Sequence, residues 1–150
     1  MSHTYANLVS HLIFSTKERR PFLEVEARPR VFGYVGGVAR ELGCNAIIVN
    51  GTSDHVHVLV EIPPRVAISD VVRVLKTNSS RWIHRQFPGQ KAFAWQSGFG
   101  AFSVSRSQID RVVTYIENQE QHHGTLSFQD EFRTILLRHG LSMDEEHGWG

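Results

Sequence analysis

The segment Asn45-Ala-Ile-Ile-Val-Asn-Gly-Thr-Ser-Asp-His-Val-His-Val-Leu-Val-Glu-Ile62 decides the fold of this 150-residue chain. Two runs rich in β-branched residues, 45–50 and 55–62, flank the turn residues Gly51-Thr-Ser-Asp54. Apolar runs joined by a short turn with glycine are typical of an antiparallel hairpin. Pro63-Pro64 ends the second run, because proline cannot donate to a strand ladder. The segment therefore predicts strands two and three of a sheet.

The patterns around this hairpin predict a strand and a helix before it, and a helix and a broken strand after it. Their expected ranges are Tyr5–Lys17, Glu24–Leu42, Ser69 to Pro88-Gly89, and Phe93–Ser105. Gly43 stands where the first helix should end, and Ser69 is expected to cap the second. The order β-α-β-β-α-β predicts the α+β class, with a ferredoxin-like (RRM-like) antiparallel sheet.

Two further helices are expected beyond the fourth strand. One runs from a capping Ser107 through Gln121, and a shorter one runs from Ser127 to Arg138. A chain of 150 residues can bury one substantial core and is short for two. We therefore expect a single domain over residues 1–150, with a core at about 5–105 and a C-terminal helical part at about 107–140.

The composition, 41% apolar and 21% charged, is ordinary for a globular chain. No apolar run approaches the roughly 20 residues of a membrane span, and the first residues lack a signal-peptide pattern, so we expect a cytoplasmic protein. Cys44 is the single cysteine. It excludes an internal disulfide and a cysteine-based metal cage, and we expect it to be a small buried hydrophobe.

The net charge of +1 gives no global support to nucleic-acid binding. Residues 65–91, however, carry six basic side chains against the single acid Asp70. On the second helix the polar stripe consists of Arg73, Lys76, Thr77, Ser80, Arg81 and Arg85. Such a stripe can follow a phosphate backbone with salt-sensitive affinity, and a solvated helix face explains it about equally well.

His55 and His57 fall on one face of the third strand, because side chains alternate along a strand. Val56, Val58 and Val60 take the other face, toward the core. Two imidazoles side by side on a rigid strand can present two nitrogens to one divalent cation. The alternative interpretation is a half-exposed strand that carries two histidines without a ligand.

Tyr115 and Gln119 lie four residues apart on the predicted third helix and therefore share a face. A phenol is a poor nucleophile at its ordinary pKa of about 10, so Tyr115 would need a cation or donors near the scissile phosphate. The alternative is a packing tyrosine and a solvated glutamine. His122 falls near the same face and is expected to be solvated, or else to contact DNA.

The glycine-rich segment 95–105 offers the aromatic residues Trp95, Phe99 and Phe102, which can stack on bases but are more often core in a strand. The sequence has no Gly-x-x-x-x-Gly-Lys, Gly-x-Gly-x-x-Gly or Cys-x-x-Cys motif. Nucleotide hydrolysis and zinc-finger interpretations therefore have no support.

Taken together, these motifs resemble the HUH single-tyrosine transposases, which move insertion sequences as single strands, and their REP-associated relatives. The resemblance covers nearly the whole chain. Its segments are 11–17 with Arg19-Arg20-Pro21, 54–60, Ser79-Ser-Arg-Trp82, Trp95-Gln96, 100–105, and Tyr115-Ile-Glu-Asn-Gln119. The histidine pair together with the last segment is the specific signal. The continuation after Gln119, with the helix 128–138, looks more like the REP-associated branch than like the most compact transposases.

The resemblance implies that His55 and His57 bind Mg²⁺ or Mn²⁺, with Gln119 completing the protein ligands. Tyr115, on a C-terminal catalytic helix, would attack single-stranded DNA and leave a 5′-phosphotyrosine and a free 3′-hydroxyl. The implied partners are hairpin-containing element ends and a second copy of the chain, as a homodimer, in a bacterial cytoplasm. The residues expected to contact DNA are Arg19, Arg20, Arg73, Lys76, Arg81 and Arg85.

Two other functions remain open at this point. A ferredoxin-like module that binds single-stranded nucleic acid without a metal would leave Tyr115 dispensable. An unrelated enzyme that uses His55 and His57 to activate water would release a phosphate end without a covalent adduct. A purely structural interpretation leaves the co-occurrence of the His-x-His and Tyr-x-x-x-Gln motifs unexplained.

Overall fold

The computed structural model describes residues 3–142, so the ends of the predicted domain, residues 1–2 and 143–150, lie outside the described residues. The helices and strands are β1 (Val9–Ser15), α1 (Arg28–Glu41), β2 (Asn45–Gly51), β3 (His55–Glu61), α2 (Ile68–Gln86), β4 (Gly100–Ser103), α3 (Ile109–Glu117), α4 (Gln119–His122) and α5 (Phe128–Arg138). Single 3-10 turns lie at 17–19, 88–90 and 106–108. Among residues 3–142, no helix combines the length and apolar character needed to cross a membrane.

The four strands form one antiparallel sheet in the order β2-β3-β1-β4. β1 pairs with β3 along its whole length, with Val9 opposite Glu61 and Ser15 opposite His55. β2 and β3 form the predicted hairpin. Two βαβ crossovers with this strand order give the ferredoxin-like arrangement. The predicted fold class is confirmed.

One face of the sheet carries the main hydrophobic core. Helices α1 and α2 cover this face, and their apolar stripes pack against alternate residues of the two central strands. The buried strand residues on this side are Leu12, Phe14, Val56, Val58 and Val60. The valines of β3 thus lie where the alternation predicted. Cys44 is buried in the same cluster, as expected.

The opposite face is closed by the C-terminal helices rather than by solvent. Ile116 of α3 packs against Val9 and Leu59. Phe128 and Phe132 of α5 pack against Ile13 of β1 and Phe102 of β4. These two small clusters enclose the histidines of β3, so the half-exposed strand of the alternative interpretation is not observed: both imidazoles are fully buried.

Two predicted helix caps are wrong. Helix α2 begins at Ile68, and the Ala67 carbonyl accepts the first backbone hydrogen bonds, from Asp70 and Val71, which places Ser69 inside the first turn. Ser107 lies in the 3-10 turn 106–108, ahead of α3, and does not cap that helix. Ser127, in contrast, accepts a hydrogen bond from the Asp130 amide at 3.2 Å and caps α5.

The predicted third helix is interrupted at Asn118, whose backbone has φ −97° and ψ 21°. The Asn50 side chain of β2 donates a 2.9 Å hydrogen bond to the Ile116 carbonyl, and this contact occupies the end of α3. The segment 93–105 forms only the short strand β4 and one isolated bridge between Thr16 and Trp95, because Gly98 turns the chain at φ +86°.

Candidate active site

His55 is held by the turn of the β-hairpin. Its Nδ1 lies 2.8 Å from Asp54 Oδ1 and 3.0 Å from Thr52 Oγ1. Burial alone would raise the pKa of the Asp54 carboxyl, but hydrogen bonding and charge interaction with His55 outweigh burial and lower it. With the Nδ1 proton directed at this carboxylate, the Nε2 lone pair faces the site. A carboxylate behind an imidazole in this way is the usual support of a metal-binding histidine.

His57 is supported by a histidine that the sequence analysis did not single out. Its Nδ1 lies 2.7 Å from His11 Nε2 on the neighbouring strand β1. Burial lowers the pKa of His57 to about 4, although nearby Glu131 opposes the shift. Burial, together with the neighbouring His57, also lowers the pKa of His11 well below its usual value. Both imidazoles are therefore neutral at neutral pH, and neutral imidazole is the form that binds a metal.

Tyr115 and Gln119 both lie against this pair, although the helix predicted to carry them is interrupted at Asn118. The Gln119 side chain is fully buried, with Oε1 at 2.8 Å from His55 Nε2. The Tyr115 ring stands edge-on to His57, with ring centroids 5.9 Å apart. His122 stacks on the Tyr115 ring, with centroids 4.9 Å apart, and is half-buried, so the expectation of a solvated side chain is wrong.

Glu131 is the residue that sequence reasoning missed. It projects from α5 into the middle of the site, is 2% exposed, and accepts close hydrogen bonds from the Tyr115 hydroxyl and from His123 Nε2. Gln119 Nε2 donates to the same carboxylate at 3.2 Å. The available sequence signal was its position beside Phe128 and Phe132, since an acid on the apolar face of an amphipathic helix needs a buried partner.

The protonation of the cluster follows from these contacts. Burial alone would raise the pKa of Glu131, but the hydrogen bond from His123 and the proximity of His57 lower it far below its usual range. Burial, and then the hydrogen bond to Glu131, raise the pKa of Tyr115 above its ordinary value. Glu131 is therefore ionised and the phenol keeps its proton, so Tyr115 in this arrangement is a restrained rather than an activated nucleophile.

Donor atoms of His55, His57 and Glu131 all lie within 4.8 Å of one another. Two ligands bound at right angles about 2.1 Å from an ion are about 3 Å apart, and opposite ligands are about 4.2 Å apart. Nitrogen and carboxylate oxygen together suit Mg²⁺, Mn²⁺ or Zn²⁺. These three side chains could therefore hold a single divalent cation.

A cavity of about 620 Å³ opens next to Tyr115. It runs between β4, α3 and α5, and its walls include His11, Tyr115, Arg111, Arg138 and His139. The cavity thus leads from solvent to the tyrosine past two arginines, the side chains best suited to bind phosphate.

The expected DNA-contacting residues lie elsewhere. Helix α2 packs on the sheet face opposite the histidines, and its Arg73, Arg81 and Arg85 are exposed. Lys76 turns inward instead: its ammonium donates to the Gln96 carbonyl at 2.9 Å and to the Gly98 carbonyl, and burial lowers its pKa to about 8.

The other candidate DNA-contacting residues are two arginines that follow β1 and three aromatic residues that precede β4 or lie within it. Arg19 and Arg20 lie in and just after the 3-10 turn that follows β1, and Arg20 is 3.5 Å from Glu18. Phe102 is core and Trp95 is half-buried, with its indole N–H donating to Ser79 Oγ at 2.9 Å. Phe99 is the exposed member of the three aromatic residues, at 39%.

Comparison with known proteins identifies the family of the chain. The profile of the family described as IS200-like transposase matches residues 4–119. The transposase of insertion element IS200 from Salmonella typhimurium is 27% identical over 125 residues, which cover 79% of this chain and 81% of the relative. The ISDra2 transposase TnpA of Deinococcus radiodurans is 29% identical over 114 residues, 73% of this chain and 81% of the relative.

Solved structures show the same fold. A chain assigned as a transposase from Deinococcus radiodurans R1 superposes with a TM-score of 0.64 at 26% identity, covering 79% of this chain and 96% of that one. A REP-associated tyrosine transposase bound to a REP hairpin superposes with a TM-score of 0.61 at 17% identity, covering 84% and 74%. On the family match over residues 4–119, the chain belongs to the IS200-like transposases, a family of DNA transposases.

Proposed function

We propose that this transposase cleaves and rejoins single-stranded DNA through a covalent bond to Tyr115, with a divalent cation at the histidine pair. One observation carries the proposal: within a single chain, the Tyr115 hydroxyl and the Nε2 atoms of His55 and His57 converge on the Glu131 carboxylate. A nucleophile and a metal site that share one buried group are close enough to act on one phosphate.

In the proposed reaction the Tyr115 oxygen attacks the phosphorus of a phosphodiester and loses its proton. The bond from phosphorus to the 3′-oxygen breaks, and that oxygen gains a proton to become a free 3′-hydroxyl. The 5′ side stays attached as a phosphotyrosine. Rejoining is the reverse, with a 3′-hydroxyl as the attacking group and Tyr115 as the leaving group. Because the number of phosphoester bonds is unchanged, no ATP is needed, in agreement with the missing phosphate-binding loop.

His55, His57 and Gln119 are the proposed protein ligands of the cation. When bound, the cation stabilises the negative charge that develops on the phosphate oxygens. Asp54 accepts from His55 Nδ1 and so leaves His55 Nε2 free, and the contact with His11 at Nδ1 orients the His57 ring. Tyr115 is kept in place by the packing of α3, where Ile116 is fully buried against β1 and β3, and Gln119 begins α4 just after this helix.

The cavity beside Tyr115 is the proposed path of the scissile strand, because Arg111 and Arg138 can bind its phosphates there. Arg19, Arg20, Arg73, Arg81 and Arg85 remain proposed DNA contacts, whereas the Lys76 ammonium is bound to the Gln96 and Gly98 carbonyls. Those on α2 would have to bind a segment that passes behind the sheet, away from the scissile phosphate. Only a long or folded DNA strand can reach both the cavity beside Tyr115 and the exposed face of α2.

A hairpin-containing single strand fits that requirement, and one solved neighbour is bound to a REP hairpin. We therefore propose element ends of this kind as the substrate. We also propose that residues 1–150 act as one domain in a bacterial cytoplasm, and that the protein assembles as a homodimer. The geometry favours Tyr115 acting beside the histidines of its own chain. Light scattering after size-exclusion chromatography checks the assembly.

The test is a covalent adduct. The protein is incubated with Mn²⁺ and labelled hairpin oligonucleotides from its own genomic flanks, and the products are separated on a denaturing gel. A protein-DNA band is expected for the wild type, and none for Tyr115→Phe. Because loss of a metal ligand removes the charge stabilisation, His57→Ala should also reduce adduct formation by about a thousandfold or more.

Tyr34→Phe is the matched control. Tyr34 stacks on Trp82 at 4.7 Å on the other side of the sheet, so this variant should form the adduct like the wild type. DNA binding without an adduct, in every flank and with every metal tested, would leave a non-catalytic binding module instead. Cleavage with free phosphate ends and no adduct would point to metal-activated water.

A further inference from the structure

We propose that Glu131 is a further protein ligand of the divalent cation, so that helix α5 completes the metal site. The inference rests on the proposed function in one respect: it assumes that the cation binds at His55 and His57. The family match ends at residue 119, so Glu131 and the helix that carries it lie beyond the matched segment.

The Glu131 carboxylate lies at ligand distances from both imidazoles. Glu131 Oε1 lies 3.0 Å from His57 Nε2, and Oε2 lies 3.9 Å from His55 Nε2. These separations fall between those of adjacent and opposite ligands around one ion, about 3 Å and about 4.2 Å. One carboxylate oxygen is therefore available near each imidazole nitrogen without any rearrangement of the backbone.

His57 Nε2 lacks a hydrogen-bond partner among residues 3–142. This atom is fully buried, and despite its distance of 3.0 Å from Glu131 it is not directed to make a hydrogen bond. A buried polar atom without a hydrogen bond destabilises the fold and calls for an explanation. A cation between His57 Nε2 and the carboxylate would satisfy both groups.

The charge of the ligand set also favours a carboxylate ligand. His55, His57 and Gln119 offer two imidazoles and an amide, and none of them brings a negative charge as a ligand. Mg²⁺ and Mn²⁺ prefer oxygen ligands and usually bind at least one carboxylate. Glu131 is buried, and its ion pairs among residues 3–142 are with His55, His57 and His123. A divalent cation would balance a buried carboxylate more fully than imidazoles can.

Packing fixes the carboxylate in this position. Phe128 and Phe132 flank Glu131 on α5 and are anchored against Ile13 and Phe102 of the sheet. Phe128 also stacks on the His55 ring, with centroids 4.4 Å apart. The helix that carries Glu131 is therefore clamped to the strand face that carries the histidines, as a preorganised ligand requires.

The experiment measures Mn²⁺ affinity of the full-length chain by isothermal titration calorimetry, without DNA. We expect Glu131→Gln, which keeps the shape and removes the charge, to weaken Mn²⁺ binding by at least about tenfold. The matched control is Glu117→Gln, which removes the same charge from an exposed position on α3 and should bind Mn²⁺ like the wild type. His57→Ala reports on the histidine pair itself.

The outcomes separate this inference from the proposed function. If His57→Ala loses Mn²⁺ while a folded Glu131→Gln chain keeps wild-type affinity, Glu131 is not a ligand and the histidine site stands. If both variants bind like the wild type, the metal centre of the proposed function fails as well. Adduct formation through Tyr115 is read independently on the denaturing gel.

A second measurement decides the matter if the Glu131→Gln chain does not fold. Binding of a stoichiometric amount of Mn²⁺ to the wild type is followed by infrared difference spectroscopy, in which a carboxylate that coordinates an ion shifts its stretching bands. Such a shift supports the inference. Unchanged carboxylate bands on stoichiometric binding would overturn it without any variant.

Discussion

The two faces of strand β3 are equally buried and chemically opposite. Val56, Val58 and Val60 point into the core under α1 and α2, whereas His55 and His57 point under α3 and α5. On the first face burial removes apolar surface from water and stabilises the fold. On the second, the same degree of burial encloses polar groups and costs free energy unless every group is hydrogen-bonded.

The two faces also differ in how completely their polar groups are hydrogen-bonded. His57 Nε2 makes no hydrogen bond, and Glu131 is a buried carboxylate surrounded by histidines. An arrangement selected for stability alone would place apolar side chains at these positions. The comparison therefore predicts that substitutions on the valine face act on stability, and those on the histidine face act on metal binding and cleavage.

The largest effect is expected from Leu12→Ala on the valine side of β1. Leu12 is fully buried next to Val58, so its truncation should lower the free energy of unfolding by about 2–5 kcal/mol. Urea denaturation measures this loss, and Mn²⁺ affinity of the folded fraction should stay unchanged. His57→Ala should instead lose Mn²⁺ affinity, with a smaller loss in the free energy of unfolding. Equal losses of stability in the two variants would remove the distinction between the faces.

A smaller effect is expected from Gly100→Ala, which tests how α5 is held on the histidine face. A Cβ atom at Gly100 would lie 2.6 Å from Phe132 Cε2 and 2.9 Å from Phe102 Cε2. The phenylalanine rings must move, so we expect a loss of about 1–3 kcal/mol in stability and faster amide exchange in α5 than in α1 or α2.

Gly89→Ala is the control for this substitution, because a Cβ atom there meets no atom within 4 Å. It should leave amide exchange in α5 unchanged. Slow exchange of α5 in the Gly100→Ala chain would show that the packing of Phe132 does not hold this helix.

The smallest effect is a pH dependence of stability in the metal-free protein. The pKa of His57 is about 4 in the folded chain and about 6.5 when unfolded. Between these values the unfolded chain takes up a proton that the folded chain does not, so stability falls as the pH falls through this window. The expected loss from about pH 7 to about pH 5.5 is about 1 kcal/mol.

Urea denaturation of wild type and His57→Gln at both pH values isolates this contribution. The wild type should lose more stability than the variant as the pH falls. Parallel behaviour of the two chains would mean that His57 is not held neutral by burial.

Much of this architecture is visible in local patterns. The hairpin follows from its β-branched runs and turn residues, and α1 and α2 follow from apolar spacing. The shared face of His55 and His57, and that of Tyr115 and Gln119, follow from the periods of strand and helix. The wrong caps, at Ser69 and Ser107, occur where backbone carbonyls, not side chains, begin the first turn.

The assembly of the site could not be read in this way. The alternation of side chains along a strand places the histidines on one face, but it does not determine whether water or another helix covers that face. Glu131 and His11 lie far from His55 and His57 along the chain, and no local rule links them to this strand. The contact with His11 depends on the register of β1 against β3, and that of Glu131 on where α5 docks.

The amino-acid order alone therefore specifies the fold class, the histidine pair, the tyrosine helix and the family resemblance, because each depends on neighbours within a few residues. Only the folded chain decides that both imidazoles are buried, that His11 supports one of them, and that a carboxylate from α5 joins the site. These depend on packing between distant elements, and packing is set by the whole core at once rather than by any single segment.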